Sequence, residues 1–215
     1  MKKSFLLGLF LLSVPFVSYS QSIFSNSLGG GLDYNYNVYY DYNNNQKFQV
    51  NQDFNFDVNG AFQLGNKLRL RLEVDYSNFS YGQRYYFEKP SDNTVVKSEI
   101  TIHNLSLTPR VDYKLVVVNK FDVFVSSGFK FEMNLGSDEE SQTSGGKVYS
   151  SSHISTDYDH FMQGIAGGLL LKYNLSKHLS VNLAPDYSFY LQKFYDQSEG
   201  NLQRISVNLG IEWRY

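Results

Sequence analysis

Four histidines are the residues best suited to chemistry in this sequence: His103, His153, His160 and His178. Hydrolysis or acyl transfer would need one of them as a base, with a nucleophile and an orienting group within hydrogen-bond reach. The nearest approach to such a group is Asp157, Asp159 and His160, and no convincing hydrolase signature accompanies it. We therefore predict no catalytic residue.

Two segments are rich in the oxygen ligands that calcium prefers. Residues 136–141 (Gly-Ser-Asp-Glu-Glu-Ser) lack a defined ligand order with a glycine turn, so we expect a solvated loop. Asp33-x-Asn35-x-Asn37 has calcium-loop spacing, but strand alternation alone produces it.

No helix follows Gly29–Gly31, which excludes a nucleotide loop and indicates a flexible segment before the first strand. We predict no metal site and no cofactor.

Composition narrows the class of protein. The chain has 215 residues and no cysteine, which fits one domain and excludes disulfides, thiolate metal sites and thiol catalysis. A net charge of −2 gives no reason to expect a nucleic acid partner. Eighteen tyrosines and 17 phenylalanines accompany a mean hydropathy of only −0.36. Membrane barrels combine these properties because only one side of each strand meets lipid.

The first 20 residues have the pattern of a signal peptide. Lys2 and Lys3 form the charged start, Phe5–Val17 is the apolar stretch, and Ser18-Tyr-Ser20 offers small residues for cleavage before Gln21. The stretch is short for a membrane anchor and lacks a stop-transfer flank. We expect residues 21–215 to form one mature domain.

Apolar and polar residues alternate with a period of two in eight segments, which indicates strands with one apolar face. The segments are residues 32–42, 47–64, 68–76, 100–115, 121–133, 161–173, 179–189 and 204–215. The phase changes near His103-Asn104, which predicts a β-bulge.

The connections between these segments alternate in length. Gly65–Lys67, Asn119-Lys120 and Ser176-Lys177 are tight, whereas residues 43–46, 81–97, 136–159 and 196–201 are more polar and mostly longer. Short periplasmic turns and long outer loops are typical of outer-membrane proteins. The sequence thus predicts an all-β fold, a closed antiparallel eight-stranded up-and-down transmembrane barrel.

Aromatic residues fall where a bilayer interface needs them. One girdle is predicted at the turn end and another towards the opposite rim: Phe62, Tyr113, Tyr173 and Trp213, and then Tyr76, Phe131 and Phe189. A soluble β-sandwich would also alternate, but it requires neither girdles nor alternating connection lengths.

The end of the chain carries the most specific motif. Asn208, Gly210, Trp213 and Tyr215 match the signal of barrel assembly, with two alternating aromatics, the last of them at the terminus. With the strand of residues 105–115 (LSLTPRVDYKL), this end resembles the OmpA/OmpX-like eight-stranded barrels, and more specifically the PorT-like family. The resemblance implies the outer membrane, its lipid as a partner, and capture of the last strand by the barrel-assembly machinery.

Charges of both signs occupy the predicted inward face. We predict that they form an ion-pair network: Asp53, Asp57, Arg69, Arg71, Glu73, Arg110, Asp112, Arg204 and Glu212. Arg69, Arg71 and Glu73 share one inward face, and Asp53 and Asp57 point inward on the neighbouring strand, so the arginines are expected to be close enough to the aspartates for cross-strand pairs. The interior of eight strands is just wide enough for side chains, so such a network plugs the lumen. A narrow ion-conducting path is the alternative, although a selective pore would show an excess of one sign.

These features favour a small non-catalytic outer-membrane barrel that displays surface loops, with a structural or docking role. The PorT-like resemblance also allows an accessory subunit of a larger outer-membrane secretion or transport assembly. A lipid-modifying enzyme is a third hypothesis, because lipid A deacylases and omptin-like proteases are similar in fold.

Overall fold

The computed structural model describes residues 26–41, 46–84, 91–153, 161–193 and 201–215. The predicted signal peptide lies outside these ranges. The described residues form nine strands: β1 Asn26–Asp41, β2 Gln46–Leu64, β3 Leu68–Arg84, β4 Val95–Val118, β5 Phe121–Thr143, β6 Val148–His153, β7 Phe161–Asn174, β8 Leu179–Lys193 and β9 Asn201–Arg214. None of the described segments is a helix long and apolar enough to cross a bilayer.

Eight of the nine strands close into a ring. Each strand pairs antiparallel with the next in the order β1, β2, β3, β4, β5, β7, β8, β9, and β9 pairs with β1. The predicted eight-stranded barrel is confirmed. β6 stands outside the ring, and β5 is its only partner among the described strands.

The predicted tight turns join β2 to β3, β4 to β5 and β7 to β8 at one end of the barrel. Gly65 has a φ of 63° and Asn119 a φ of 55°, conformations that glycine and asparagine adopt more readily than other residues. The predicted bulge is also confirmed, because the pairing of β4 with β5 shifts between His103 and Asn104.

Apolar side chains cover the outside of the barrel. Phe54 is 75% exposed and Leu32 64% exposed, and apolar side chains at many other outward positions of the ring are also exposed. The turn-end girdle residues Tyr113, Tyr173 and Trp213 pair directly with the first residues of neighbouring strands. Such an apolar band is stable only against lipid.

Two expectations about loops are wrong. The predicted loop of residues 136–159 continues β5 to Thr143, turns, and returns as β6. Alternation was a poor guide there because strands outside the membrane carry polar residues on both faces. Gly29–Gly31 is not a flexible leader but part of β1, paired on both sides. A Cβ at Gly29 would come within 2.8 Å of the Ile211 carbonyl oxygen, so close packing requires glycine there.

Beyond the membrane band the wall rises on one side as a sheet. The ends of four strands form it: residues 77–84 of β3, 95–104 of β4, 136–143 of β5 and all of β6. We call this the outer sheet. Pairing of β5 with β7 stops at Met133 and Phe161, so above that level β5 leaves the ring and pairs with β6 instead.

Candidate functional sites: the charged lumen and the outer sheet

The lumen is lined by charged and amide side chains, because strand alternation turns one side of each strand inward. Ion pairs link seven cations to seven carboxylates: Arg69, Arg71, Arg110, Lys114, Lys130, Lys172 and Arg204 with Glu73, Asp75, Asp112, Asp122, Glu132, Asp186 and Glu212. Most of these side chains are buried.

Near the turn end, Glu212 of β9 receives two cations. Arg69 Nη2 lies 2.6 Å from Glu212 Oε2, and Lys172 donates to the other carboxylate oxygen. Arg71 then links Asp112 to Glu73, with nitrogen–oxygen distances of 3.1 and 3.0 Å. Through Glu212, β9 is joined across the lumen to β3 and β7, with which it does not pair in the sheet.

Further up, a second set of contacts spans the barrel. Arg110 Nη1 and Nη2 donate to the two oxygens of Asp186 at 2.8 and 3.0 Å, and Arg110 also lies 3.4 Å from Glu73. This bidentate geometry fixes the guanidinium plane. Lys130 lies 3.2 Å from Asp75, which also accepts a hydrogen bond from Ser106.

The most enclosed pair is Arg204 with Glu132. Arg204 Nη1 donates to Glu132 Oε2 at 2.9 Å, and Arg204 Nε donates to Asn37 Oδ1 at 2.7 Å. Tyr190 donates its hydroxyl to Glu132 at 2.6 Å, and the guanidinium lies 5.5 Å from the Tyr190 ring centroid. Glu132 is 0% exposed, so breaking this pair would leave a fully buried carboxylate without its cation.

Two predicted members of the network are placed differently. Asp53 and Asp57 lie inward on β2, but within the described residues neither forms an ion pair. The β2–β3 register sets Asp57 opposite Asp75 and Asn59 opposite Glu73, so acids face acids or amides. The expected pairing of β3 arginines with β2 aspartates is therefore wrong. Arg69 forms ion pairs with Asp112 and Glu212 instead. Arg71 also pairs with Asp112, and Arg110 pairs with Asp186.

Tyr190 was overlooked as a site residue. It follows Phe189 in the opposite phase of alternation, and it is fully buried against Glu132. Its place on the inward-facing side of the alternating pattern could have identified Tyr190 as a lumen residue.

An apolar cluster completes the interior. Phe124, Leu170 and Ala184 pack together as buried neighbours inside the barrel. Beside the ion pairs lies a mid-lumen cavity of about 20 Å³. This volume is about that of a single water-sized occupant.

The four residues of the predicted assembly signal separate onto two faces. Asn208 points inward and donates to Asp57 Oδ2 at 2.6 Å. Trp213 and Tyr215 point outward at the turn end, where Trp213 stacks on His178 with ring centroids 5.8 Å apart. A Cβ at Gly210 would come within 2.9 Å of the Gly30 carbonyl oxygen.

A series of hydrogen-bonded side chains crosses the four strands that form the outer sheet. The Tyr76 hydroxyl lies 2.8 Å from His103 Nδ1, and His103 Nε2 lies 3.0 Å from Asp138 Oδ2. Hydrogen bonds from Ser152 and then from His103 hold the pKa of Asp138 below its usual value. A lowered pKa means that these contacts persist at neutral pH and are lost only as the pH falls through that lowered value. These hydrogen bonds connect β6 to β5 and β5 to β4.

The carboxylates of this sheet concentrate on one face. Glu99 of β4 is directly paired with Glu140 of β5, and Asp138 lies two residues further along the same side. Among the described side chains of this face, Lys97 is the lysine that offsets them, 3.1 Å from Glu99. These described side chains are polar and carry an acidic excess.

Asp157, Asp159 and His160, considered above as the nearest approach to a catalytic group, lie outside the described part of the chain. Among described residues there is no group of three or more His, Asp or Glu side chains arranged to hold a metal ion. The segment at 136–141 is strand rather than the loop that we expected.

Comparison with known proteins identifies the fold. A family model described as "outer membrane protein beta-barrel domain" matches residues 12–191. The chain is similar to a major outer membrane protein from Thermus thermophilus, with a TM-score of 0.51, 12% identity, and coverage of 86% of this chain and 99% of that one. It is also similar to OprG of Pseudomonas aeruginosa, with a TM-score of 0.50, 11% identity, and coverage of 89% and 95%. No curated protein sequence matches the chain.

Proposed function

Because the chain belongs to the family of outer-membrane β-barrel domains, and its place is the outer membrane, we propose that it is a non-catalytic barrel whose outer sheet is a docking surface for a protein partner. The observation that carries the proposal is the outer sheet itself. Four strands leave the membrane band on one side, and the last of them, β6, is an edge strand among the described residues.

An edge strand offers backbone N–H and C=O groups to an incoming chain. A partner can add an extended segment to it through main-chain hydrogen bonds, and the side chains of the sheet then select the partner. β6 is serine-rich and exposed from Val148 to Ser152, and among the described strands none pairs with its outer edge. The acidic excess beside it, at Glu99, Asp138 and Glu140, favours a segment with basic residues.

The filled lumen supports a docking role over transport. Ion pairs between nonadjacent strands occupy the interior, and the mid-lumen cavity beside them is about 20 Å³. A rigid barrel of this kind is a stable base for a sheet that must hold its shape. The PorT-like resemblance of residues 105–115 and of the chain end supports a partner within a larger outer-membrane assembly. The terminal residues Asn208, Gly210, Trp213 and Tyr215 would serve capture by the assembly machinery.

The test is to remove the hairpin and keep the barrel. Residues 137–152 are replaced by a short Gly-Ser turn, which leaves the ring pairing of Leu105 with Met133 intact. We expect normal outer-membrane levels and an unchanged unfolding temperature, because no lumen contact is lost. A protein that co-purifies with the unmodified barrel in mild detergent, identified by mass spectrometry, should no longer co-purify.

A matched control shortens residues 42–45, the connection between β1 and β2. This variant should retain the partner. Retention of the partner by the hairpin variant would contradict the docking proposal. A change in lipid A mass on deletion of the whole protein would instead favour the lipid-modifying enzyme.

A further inference from the structure

Each of the three tight turns carries a lysine. Lys67 directly precedes β3, Lys120 directly precedes β5, and Lys177 stands two residues before β8. All three lysines are exposed, and within the described ranges none of them forms an ion pair. The turns contain no aspartate or glutamate, so the charge that they display is basic.

The three turns share one geometry, in which an aromatic residue of the next strand in the ring lies beside the turn. The first residues of β3, β5 and β8 pair with Tyr113, Tyr173 and Trp213, respectively. The Lys67 carbonyl accepts a hydrogen bond from the N–H of the residue after Tyr113 at 2.7 Å, and the Lys120 carbonyl accepts one from the residue after Tyr173 at 2.8 Å. The third turn makes the same bond one residue after Lys177, at 2.7 Å. The turn end thus repeats one unit three times, a lysine beside an outward aromatic.

The aromatic rings set the depth of these lysines in the bilayer. Tyr113 and Trp213 are exposed on the lipid side of the wall. Tyrosine and tryptophan settle at the level of the lipid headgroups, because their rings are apolar and carry a polar atom at one end. Lys67 Nζ lies 6.0 Å from the centroid of the Tyr113 ring, so its ammonium group lies close to that level.

Exposed carboxylate side chains do not offset the lysines in the described part of the turn end. The acidic side chains of the strands nearest this end are Asp112, Asp122 and Glu212, and they are buried in the lumen with cations of their own. Residues 21–25, which precede β1 in the sequence, contain no charged residue. The exposed side chains of the turns therefore give the outside of this end a positive charge.

The distribution of the lysines around the ring favours lipid over a single protein partner. Their turns join β2 to β3, β4 to β5 and β7 to β8, so they lie on different sides of the closed barrel. A globular partner would contact one side of this rim, whereas the headgroups of a bilayer surround it. Lysine presents a compact charge that suits a phosphate group, and basic residues at a membrane surface attract anionic lipids.

We propose that Lys67, Lys120 and Lys177 bind the phosphate groups of anionic phospholipids in the leaflet around the turn end, the periplasmic leaflet in the predicted orientation. Each ammonium group donates hydrogen bonds to phosphate oxygens, while the neighbouring aromatic ring packs against the glycerol and the upper part of the acyl chains. Three such contacts on different sides of the barrel would fix its depth and its tilt in the membrane.

Trp213 supplies a local readout, because it is the one tryptophan of the sequence and stacks on His178, the residue after Lys177. The barrel is refolded into phosphatidylcholine with brominated acyl chains, mixed with unbrominated phosphatidylglycerol or, in a parallel series, unbrominated phosphatidylcholine. Bromine quenches tryptophan on contact, so an unbrominated lipid that is preferred beside Trp213 restores its fluorescence. We expect a preference of about five-fold for phosphatidylglycerol, which should fall in about 0.5 M NaCl.

Lys177→Gln should abolish this preference, and Lys177→Arg should retain it because the positive charge remains. The matched control is Lys97→Gln, which removes one lysine from the outer sheet, away from the turns, and should leave the preference unchanged. The shift in gel mobility on heating shows that each variant is folded.

The proposal is overturned if the unmodified protein shows no preference, if Lys177→Gln keeps it, or if Lys97→Gln loses it. Binding to purified peptidoglycan that disappears when all three turn lysines are replaced with glutamine, without any lipid preference, would assign the lysines to the cell wall instead. The bilayers contain the barrel alone, so these results are independent of the docking proposal.

Discussion

Replacing Arg204 with methionine should lower the free energy of unfolding by about 3–5 kcal/mol, because it leaves Glu132 buried without its cation. Glu132 is 0% exposed, and Arg204 is the cation with which it forms an ion pair in the described structure. Methionine has similar length, so little volume is lost. Urea unfolding in detergent, followed by tryptophan fluorescence and by the shift in gel mobility, measures the loss.

The double variant Arg204→Met with Glu132→Gln separates the charge from the packing. It removes both charges and should recover most of the lost stability, since buried ion pairs exchanged for neutral residues are often neutral in effect. The control is Lys97→Met on the outer sheet, where Lys97 and Glu99 are 43% and 39% exposed. Breaking this exposed pair should cost less than about 1 kcal/mol. Equal losses in the single and double variants would show that the lumen pair is not the source of stability.

Replacing Trp213 with aspartate should reduce the outer-membrane level of the protein by about ten-fold or more. Trp213 is 54% exposed, so its folded contacts are few, chiefly the ring of His178. The effect should therefore act at assembly, when alternate side chains of the terminal strand are read. Immunoblots of outer-membrane fractions measure the level, and deletion of Tyr215 should act in the same direction.

Phe121→Asp provides the matched control for this prediction. Phe121 is 52% exposed at the same end of the barrel but begins β5, far from the terminal strand. Both substitutions put a carboxylate near the lipid interface, where an acidic residue costs little. Trp213→Phe should restore the level. Equal losses from Trp213→Asp and Phe121→Asp would show that the terminal aromatics carry no special signal.

The barrel itself could be predicted because its pattern is local. Each lipid-facing strand repeats apolar residues every second position, and residues such as Gly65 and Asn119 mark the turns. Even the bulge at His103 shows as a change of phase. These features depend on a few consecutive residues, so one sequence is enough to find them.

The partners in the lumen could not be predicted in this way. Arg69 of β3 contacts Glu212 of β9, Arg110 of β4 contacts Asp186 of β8, and Arg204 of β9 contacts Glu132 of β5. None of these strands are neighbours in the ring. Such contacts depend on barrel diameter and strand stagger, which are set by closure of the whole sheet. Local alternation showed which charges point inward but not which charge faces which.

The alternation of apolar and polar residues also failed to predict the outer sheet. Glu139 and Glu140 and the serines of β6 are polar on both faces of the sheet, so apolar alternation disappears although the backbone is still paired. Backbone hydrogen bonds with β4 and the Tyr76–His103–Asp138–Ser152 chain define it instead.

Surface labelling on intact cells tests the central claim, that an outer-membrane barrel displays this sheet outside the cell. The chain has no cysteine, so a single one can be placed at will. We expect Ser151→Cys in β6 to react with a membrane-impermeant maleimide on intact cells, and Asn66→Cys in the β2–β3 turn to react only after the outer membrane is permeabilised. Labelling of Asn66→Cys but not Ser151→Cys on intact cells would contradict the account.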